Sequence, residues 1–65
     1  MIKVNNNTLD WEKGLTVEKF LQENNFISHL SVVKINGEFI NKSSYFTQII
    51  NDEDDLKIIH LVAGG

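Results

Sequence analysis

Sixty-five residues without a cysteine leave this chain one means of holding a fold together, an apolar core. Disulfides, a CxxC metal site and a thiol nucleophile are all excluded. A domain of this size buries only about 60% of the surface its unfolded chain exposes. Its stability is therefore expected to be on the order of 5 kcal/mol. The 42% hydrophobic content is enough to build one core, and one domain is the most the chain can hold. The lack of cysteine fits a reducing compartment. Apolar runs of a few residues fall far short of a membrane span. Met1-Ile2-Lys3-Val4 leads into structure without a signal-peptide pattern, so a cytoplasmic location is expected.

Charge narrows the function classes. Nine acidic residues against six basic ones give a net charge of −3. Nucleic-acid binding needs cations to neutralise phosphates, so it is disfavoured. All six bases are lysines, which removes the bidentate phosphate fork of arginine. An acidic surface suits a basic partner surface.

The element order follows from periodicity. Ile2 and Val4 alternate with Lys3 and Asn5, the period of a half-buried strand. Asn5-Asn6-Asn7 signals a turn, and Thr8 to Glu12 alternates again with Leu9 and Trp11 on one face. After Gly14 the period changes. Thr16 is a candidate N-cap, with Glu18 in the first turn where negative charge suits the helix dipole. Val17, Phe20 and Leu21 form one apolar stripe, and Asn25 can end the helix in the left-handed conformation. Phe26, Ile27 and Leu30 are expected to pack the link back to the sheet. Val32 to Asn36 reads as a strand with Val33 and Ile35 on one face. Asn36-Gly37 is a type I′ hairpin turn, and Glu38 to Ile40 is the returning strand. Ser43 to Ile50 contains a short helical turn with Tyr45, Phe46, Ile49 and Ile50 as its apolar residues. Asn51 to Asp55 is an acidic turn, and Leu56 to Val62 is the last strand.

The predicted order is β-β-α-β-β, a short helix, then β. One amphipathic helix across one mixed sheet of four to five strands makes an α+β two-layer domain. That order resembles the β-grasp, or ubiquitin-like, arrangement, with the last strand central beside the first. Residues 1–62 form the domain, and Ala63, Gly64 and Gly65 form a tail.

The tail is the first candidate for chemistry. Glycine has no Cβ, so Gly64-Gly65 can enter a narrow channel closed to other residues. Three extended residues reach roughly 10 Å. A carboxylate carried there becomes a good electrophile once ATP adenylates it. A frayed terminus is the other reading of the two glycines taken alone.

Asp54-Asp55-Leu56-Lys57-Ile58-Ile59-His60-Leu61-Val62-Ala63-Gly64-Gly65 resembles the ending of the ThiS family, the sulfur carriers of thiamin thiazole synthesis. Thr16-Val17-Glu18-Lys19-Phe20-Leu21 resembles the start of that family's helix, and Val33-Lys34-Ile35-Asn36-Gly37-Glu38-Phe39-Ile40 its central hairpin. The resemblance spans nearly the whole chain in order. Where the family often carries Val-Pro-Arg, this chain has Ile40-Asn41-Lys42, with Tyr45 as the aromatic that follows.

The resemblance implies a carrier, with the catalysis left to its partners. An E1-like adenylating enzyme resembling ThiF would activate the Gly65 carboxylate with MgATP. A persulfide sulfur donor would displace AMP and leave a thiocarboxylate. Thiazole synthase, resembling ThiG, would take the sulfur. No cofactor is expected on the carrier itself, which is expected to be a monomer when free. Related readings are the small subunit of molybdopterin synthase and a ubiquitin-like modifier or interaction domain.

Alternation suggests where partners dock. With Leu56 and Ile58 facing the helix, Lys57, Ile59 and Leu61 face outward. Ile59 and Leu61 are then candidates for an apolar docking patch, or are simply covered or isolated aliphatics. His29 and His60 have no ligand spacing for a metal. Asp52-Glu53-Asp54-Asp55 lacks the glycine and spacing of a calcium loop and reads as a solvated turn. Ser43, Ser44 and Thr47 have no base arrangement for nucleophilic catalysis. Trp11 is expected in core or hairpin packing.

Overall fold

Two asparagines with positive φ open the fold. Asn5 (49°) and Asn6 (72°) turn β1 (Ile2–Val4) back onto β2 (Asn7–Leu9), and Ile2 pairs with Leu9 in the antiparallel register. The computed structural model describes residues 1–61. β2 stops at Leu9, short of the predicted Glu12. The reason is Trp11, whose indole N–H donates to the Ile50 carbonyl at 2.7 Å and pulls the chain out of the ladder.

The helix α1 (Val17–Glu23) begins at the predicted cap. A helix start leaves backbone N–H groups without intrahelical partners. Here Val17 N–H donates to the Gln48 carbonyl at 3.0 Å and Glu18 N–H to the Tyr45 carbonyl at 2.9 Å. Lys19 N–H donates to the Thr16 hydroxyl at 3.2 Å. The loop 45–50 therefore serves as a second cap. At the other end Asn25 takes φ 63°. Phe26 N–H reaches the Leu21 carbonyl at 2.9 Å and Asn25 N–H the Gln22 carbonyl at 3.3 Å, the paired bonds of a Schellman motif.

A 3-10 turn (Ser28–Leu30) leads into β3 (Ser31–Ile35). Asn36 (φ 51°) and Gly37 (φ 86°) then form the predicted hairpin to β4 (Glu38–Phe39). A second 3-10 turn (Lys42–Ser44) starts earlier than the predicted Ser43, because the Asn41 side chain caps Ser43 N–H at 3.0 Å. The apolar residues that follow divide: Tyr45 and Ile50 are buried, whereas Phe46 and Ile49 are 72% and 42% exposed. Ile27, expected to pack, is also exposed, while Phe26 lies against the core.

β5 (Asp55–His60) runs parallel to β1 and antiparallel to β3, giving the sheet order β2-β1-β5-β3-β4. The last strand is thus central, as the β-grasp arrangement requires. It begins one residue before the predicted Leu56 and ends at His60, with Leu61 already outside it, short of the predicted Val62, which itself lies outside the described residues. Ile2, Val4, Val33, Ile35, Leu56 and Ile58 project from the sheet onto Val17, Phe20 and Leu21 of α1, closing one core. Leu15, Tyr45 and Ile50 seal its edge. Glu18 is buried with its carboxylate satisfied by the Ser28 hydroxyl at 2.6 Å and the Gln22 amide at 2.9 Å. No helix among the described residues is long and apolar enough to cross a membrane.

Candidate docking face and carrier end

The pleat of β5 sorts its side chains. Leu56 and Ile58 are buried under the helix, and Lys57 and Ile59 stand on the opposite face. Ile59 is 45% exposed, and Leu61, just beyond the strand, is 47% exposed. A solvated sheet face is ordinarily polar. Exposed aliphatics on a central strand and just past its end, next to the start of the tail, depart from that pattern and make this face the candidate docking surface.

Cross-strand register enlarges the patch. Val32 lies directly opposite Ile59, and Lys34 lies opposite both Lys57 and the exposed Phe39. Lys34 Nζ sits 4.9 Å from the centre of the Phe39 ring, within cation–π range. On the other side of β5, Lys3 pairs with Asp55. The face therefore has an apolar half, Val32, Ile59 and Leu61, and a basic half around Lys34 and Lys57. Val32, Lys34 and Phe39 were missing from the candidates read from sequence. Alternation in β3 carried the signal for the first two, since Val33 and Ile35 point inward. Phe39 needed the hairpin register.

The strand that leads to the tail is held to its end. Where β1 stops, the Asn5 side chain takes over its pairing: Ile58 N–H donates to Asn5 Oδ1 at 2.9 Å, and Asn5 Nδ2 donates to the Ile58 carbonyl at 3.2 Å. Leu61 N–H donates to the Leu30 carbonyl at 2.6 Å. The His60 ring meets Phe26 edge to face at 6.4 Å. Ala63, Gly64 and Gly65, the predicted spacer and carrier group, lie outside the described residues.

The remaining candidates have structural roles. Asp54 accepts from the Asn36 amide at 3.0 Å and from Asn51 N–H at 2.9 Å, which fixes the acidic turn. Asp52 pairs with the Met1 ammonium. No group of three or more His, Asp or Glu side chains among the described residues is placed to hold a metal ion. In the loop that departs from the family pattern, Lys42 Nζ donates to the His29 carbonyl at 2.6 Å. Tyr45 is buried with its hydroxyl donating to the Ser31 carbonyl at 2.9 Å. Burial pushes the Tyr45 phenol up, the Val33 backbone works against this, and the Glu18 carboxylate adds to it.

Comparison with known proteins gives a consistent set of matches. The sequence model of the ThiS family matches residues 2–65. The chain is 29% identical over 66 residues to the sulfur carrier protein ThiS of Bacillus subtilis (strain 168), covering 100% of both chains. The crystal structure of the thiamine biosynthesis protein ThiS from Geobacter metallireducens superposes with a TM-score of 0.78 at 22% identity, covering 98% of this chain and 97% of that one. The solution structure of the Geobacter metallireducens protein also gives 0.78, at 22% identity over 98% and 86% of the two chains. The two superpositions establish the shared fold.

Proposed function

This chain belongs to the ThiS family, and from that premise we propose that it carries sulfur on its C-terminal glycine for thiazole formation in thiamin biosynthesis. The observation that carries the reading is the reach of the family match, which runs through Gly64 and Gly65. The placement of β5 supports it. A central strand, bonded on both sides and held as far as Leu61, gives the tail a fixed base.

The chemistry required is acyl activation followed by sulfur transfer. The Gly65 carboxylate attacks the α-phosphorus of ATP, and pyrophosphate leaves. Magnesium and the nucleotide are held by an adenylating partner of the ThiF type. A donor persulfide then attacks the acyl carbon, AMP leaves, and an acyl disulfide joins the two proteins. A reducing thiol attacks the donor-side sulfur, which releases the thiocarboxylate. A thiazole synthase of the ThiG type takes that sulfur. The chain itself contributes the acyl group, the glycine spacer that fits a narrow channel, and the face around Ile59, Leu61 and Lys57 on which partners seat.

The reading is tested by ATP–pyrophosphate exchange with the adenylating enzyme. The full chain supports exchange, and a chain lacking Gly65 does not, although it still binds the enzyme. Equal exchange by both would rule Gly65 out as the activated group.

A further inference from the structure

Lys34 and Lys57 are direct cross-strand partners on the outer face of the sheet. Like charges placed opposite each other destabilise a strand pair. Nothing among the described residues relieves them by an ion pair: the two ion pairs there are Met1 with Asp52 and Lys19 with Glu12. Lys34 has the Phe39 ring instead. A cleft of about 140 Å³ lies between the two lysines, lined also by Gly37 and Asp55. Asp55 is the one carboxylate there, and its neighbour across the β1–β5 register is a third lysine, Lys3. Glu38 pairs with Ile35 and so belongs to the opposite face. The cleft thus holds two lysines and one carboxylate, and the cleft beside it adds Lys3 and Glu53, so this face is locally basic by one charge (3 − 2) on a chain whose net charge is −3.

We propose that the partner surface seated on this face presents a carboxylate into the cleft between Lys34 and Lys57, flanked by apolar side chains that cover Val32, Ile59 and Leu61. The proposal rests on the docking role given to the face above and specifies the chemistry of what docks. The sequence-level expectation, that an acidic chain meets a basic partner, is reversed at this face. The apolar half continuous with the cleft is what makes the occupant a protein surface. A phosphate or nucleotide has no apolar part to cover Ile59.

The test measures association of the carrier with the adenylating enzyme as a function of salt. A Lys34→Glu, Lys57→Glu double variant is expected to associate about tenfold more slowly at low salt, with the gap closing as salt rises. The Lys34→Gln, Lys57→Gln variant should fall in between. Wild-type association by the double Glu variant would overturn the proposal, and so would an equal, salt-independent loss in the Glu and Gln variants. Ile59→Asp separates the two levels. If it alone blocks binding, the face still docks but its complement is not acidic. If it too binds like wild type, the docking role fails. Titration of the free carrier with inorganic phosphate supplies the last arm: saturable shifts confined to Lys34 and Lys57 would assign the cleft to a small anion and overturn the proposal.

Discussion

Ile59 on β5 stands directly across from Val32 on β3, on the sheet face that the helix leaves open. The pair lies where the central strand hands over to the tail, so a partner gripping it would have the tail within reach. Ile59→Asp places a charge at the centre of this apolar half. β-propensity differences span about 1 kcal/mol, so the domain should stay folded. Binding to the adenylating enzyme should fall by tenfold or more, by analogy with the loss of about 2 kcal/mol or more at a hot spot. Thermal melting and a binding titration on the same sample check both halves. A folded variant with unchanged affinity would remove Ile59 from the docking surface.

Tyr45 ties the loop before β5 to the start of β3 through its bond to the Ser31 carbonyl. Tyr45→Phe should cost about 1 kcal/mol at neutral pH. The pH dependence has a definite sign. Burial, with a further push from Glu18, raises the phenol above its ordinary value of 10.0. The folded chain then keeps a proton that the unfolded chain releases, so stability is fully present below pH 10 and falls above it. Wild type and Tyr45→Phe differ in no other side chain, so comparing them isolates the phenol. The difference between wild type and Tyr45→Phe in urea unfolding should therefore shrink as pH rises past 10. A difference that stays constant would show that the phenol is not held neutral.

Gly37 sits at φ 86° in the hairpin that carries Phe39, with open space where a Cβ would stand. Gly37→Ala should therefore cost only backbone strain, about 1 kcal/mol. The urea midpoint should drop while the slope stays the same. A changed slope would mean that the hairpin had opened and taken part of the sheet with it.

What could be read from the sequence was what single residues or short spacings determine. Thr16 caps a helix, Asn25 ends it, and Asn36-Gly37 turns a hairpin, because each acts on its own backbone. The order of elements followed, and its resemblance to the β-grasp arrangement supplied the central place of β5. Boundaries set by distant partners were not legible. β2 ends early because Trp11 reaches Ile50, thirty-nine residues away. Phe46 and Tyr45 are neighbours with similar rings, and only tertiary packing buries one and exposes the other. In the proposed docking face, Lys57, Ile59 and Leu61 came from alternation along one stretch of sequence. The facing Lys34, Val32 and Phe39 depend on which strand lies beside β5 and in what register.

The most direct measurement is the intact mass of the chain after incubation with its adenylating enzyme, MgATP, a persulfide donor and a reducing thiol. The account predicts a gain equal to the replacement of one oxygen by sulfur, located by fragmentation to Gly65. An unchanged mass with an enzyme shown to be active, or an isopeptide adduct to a lysine in place of the sulfur, would contradict it.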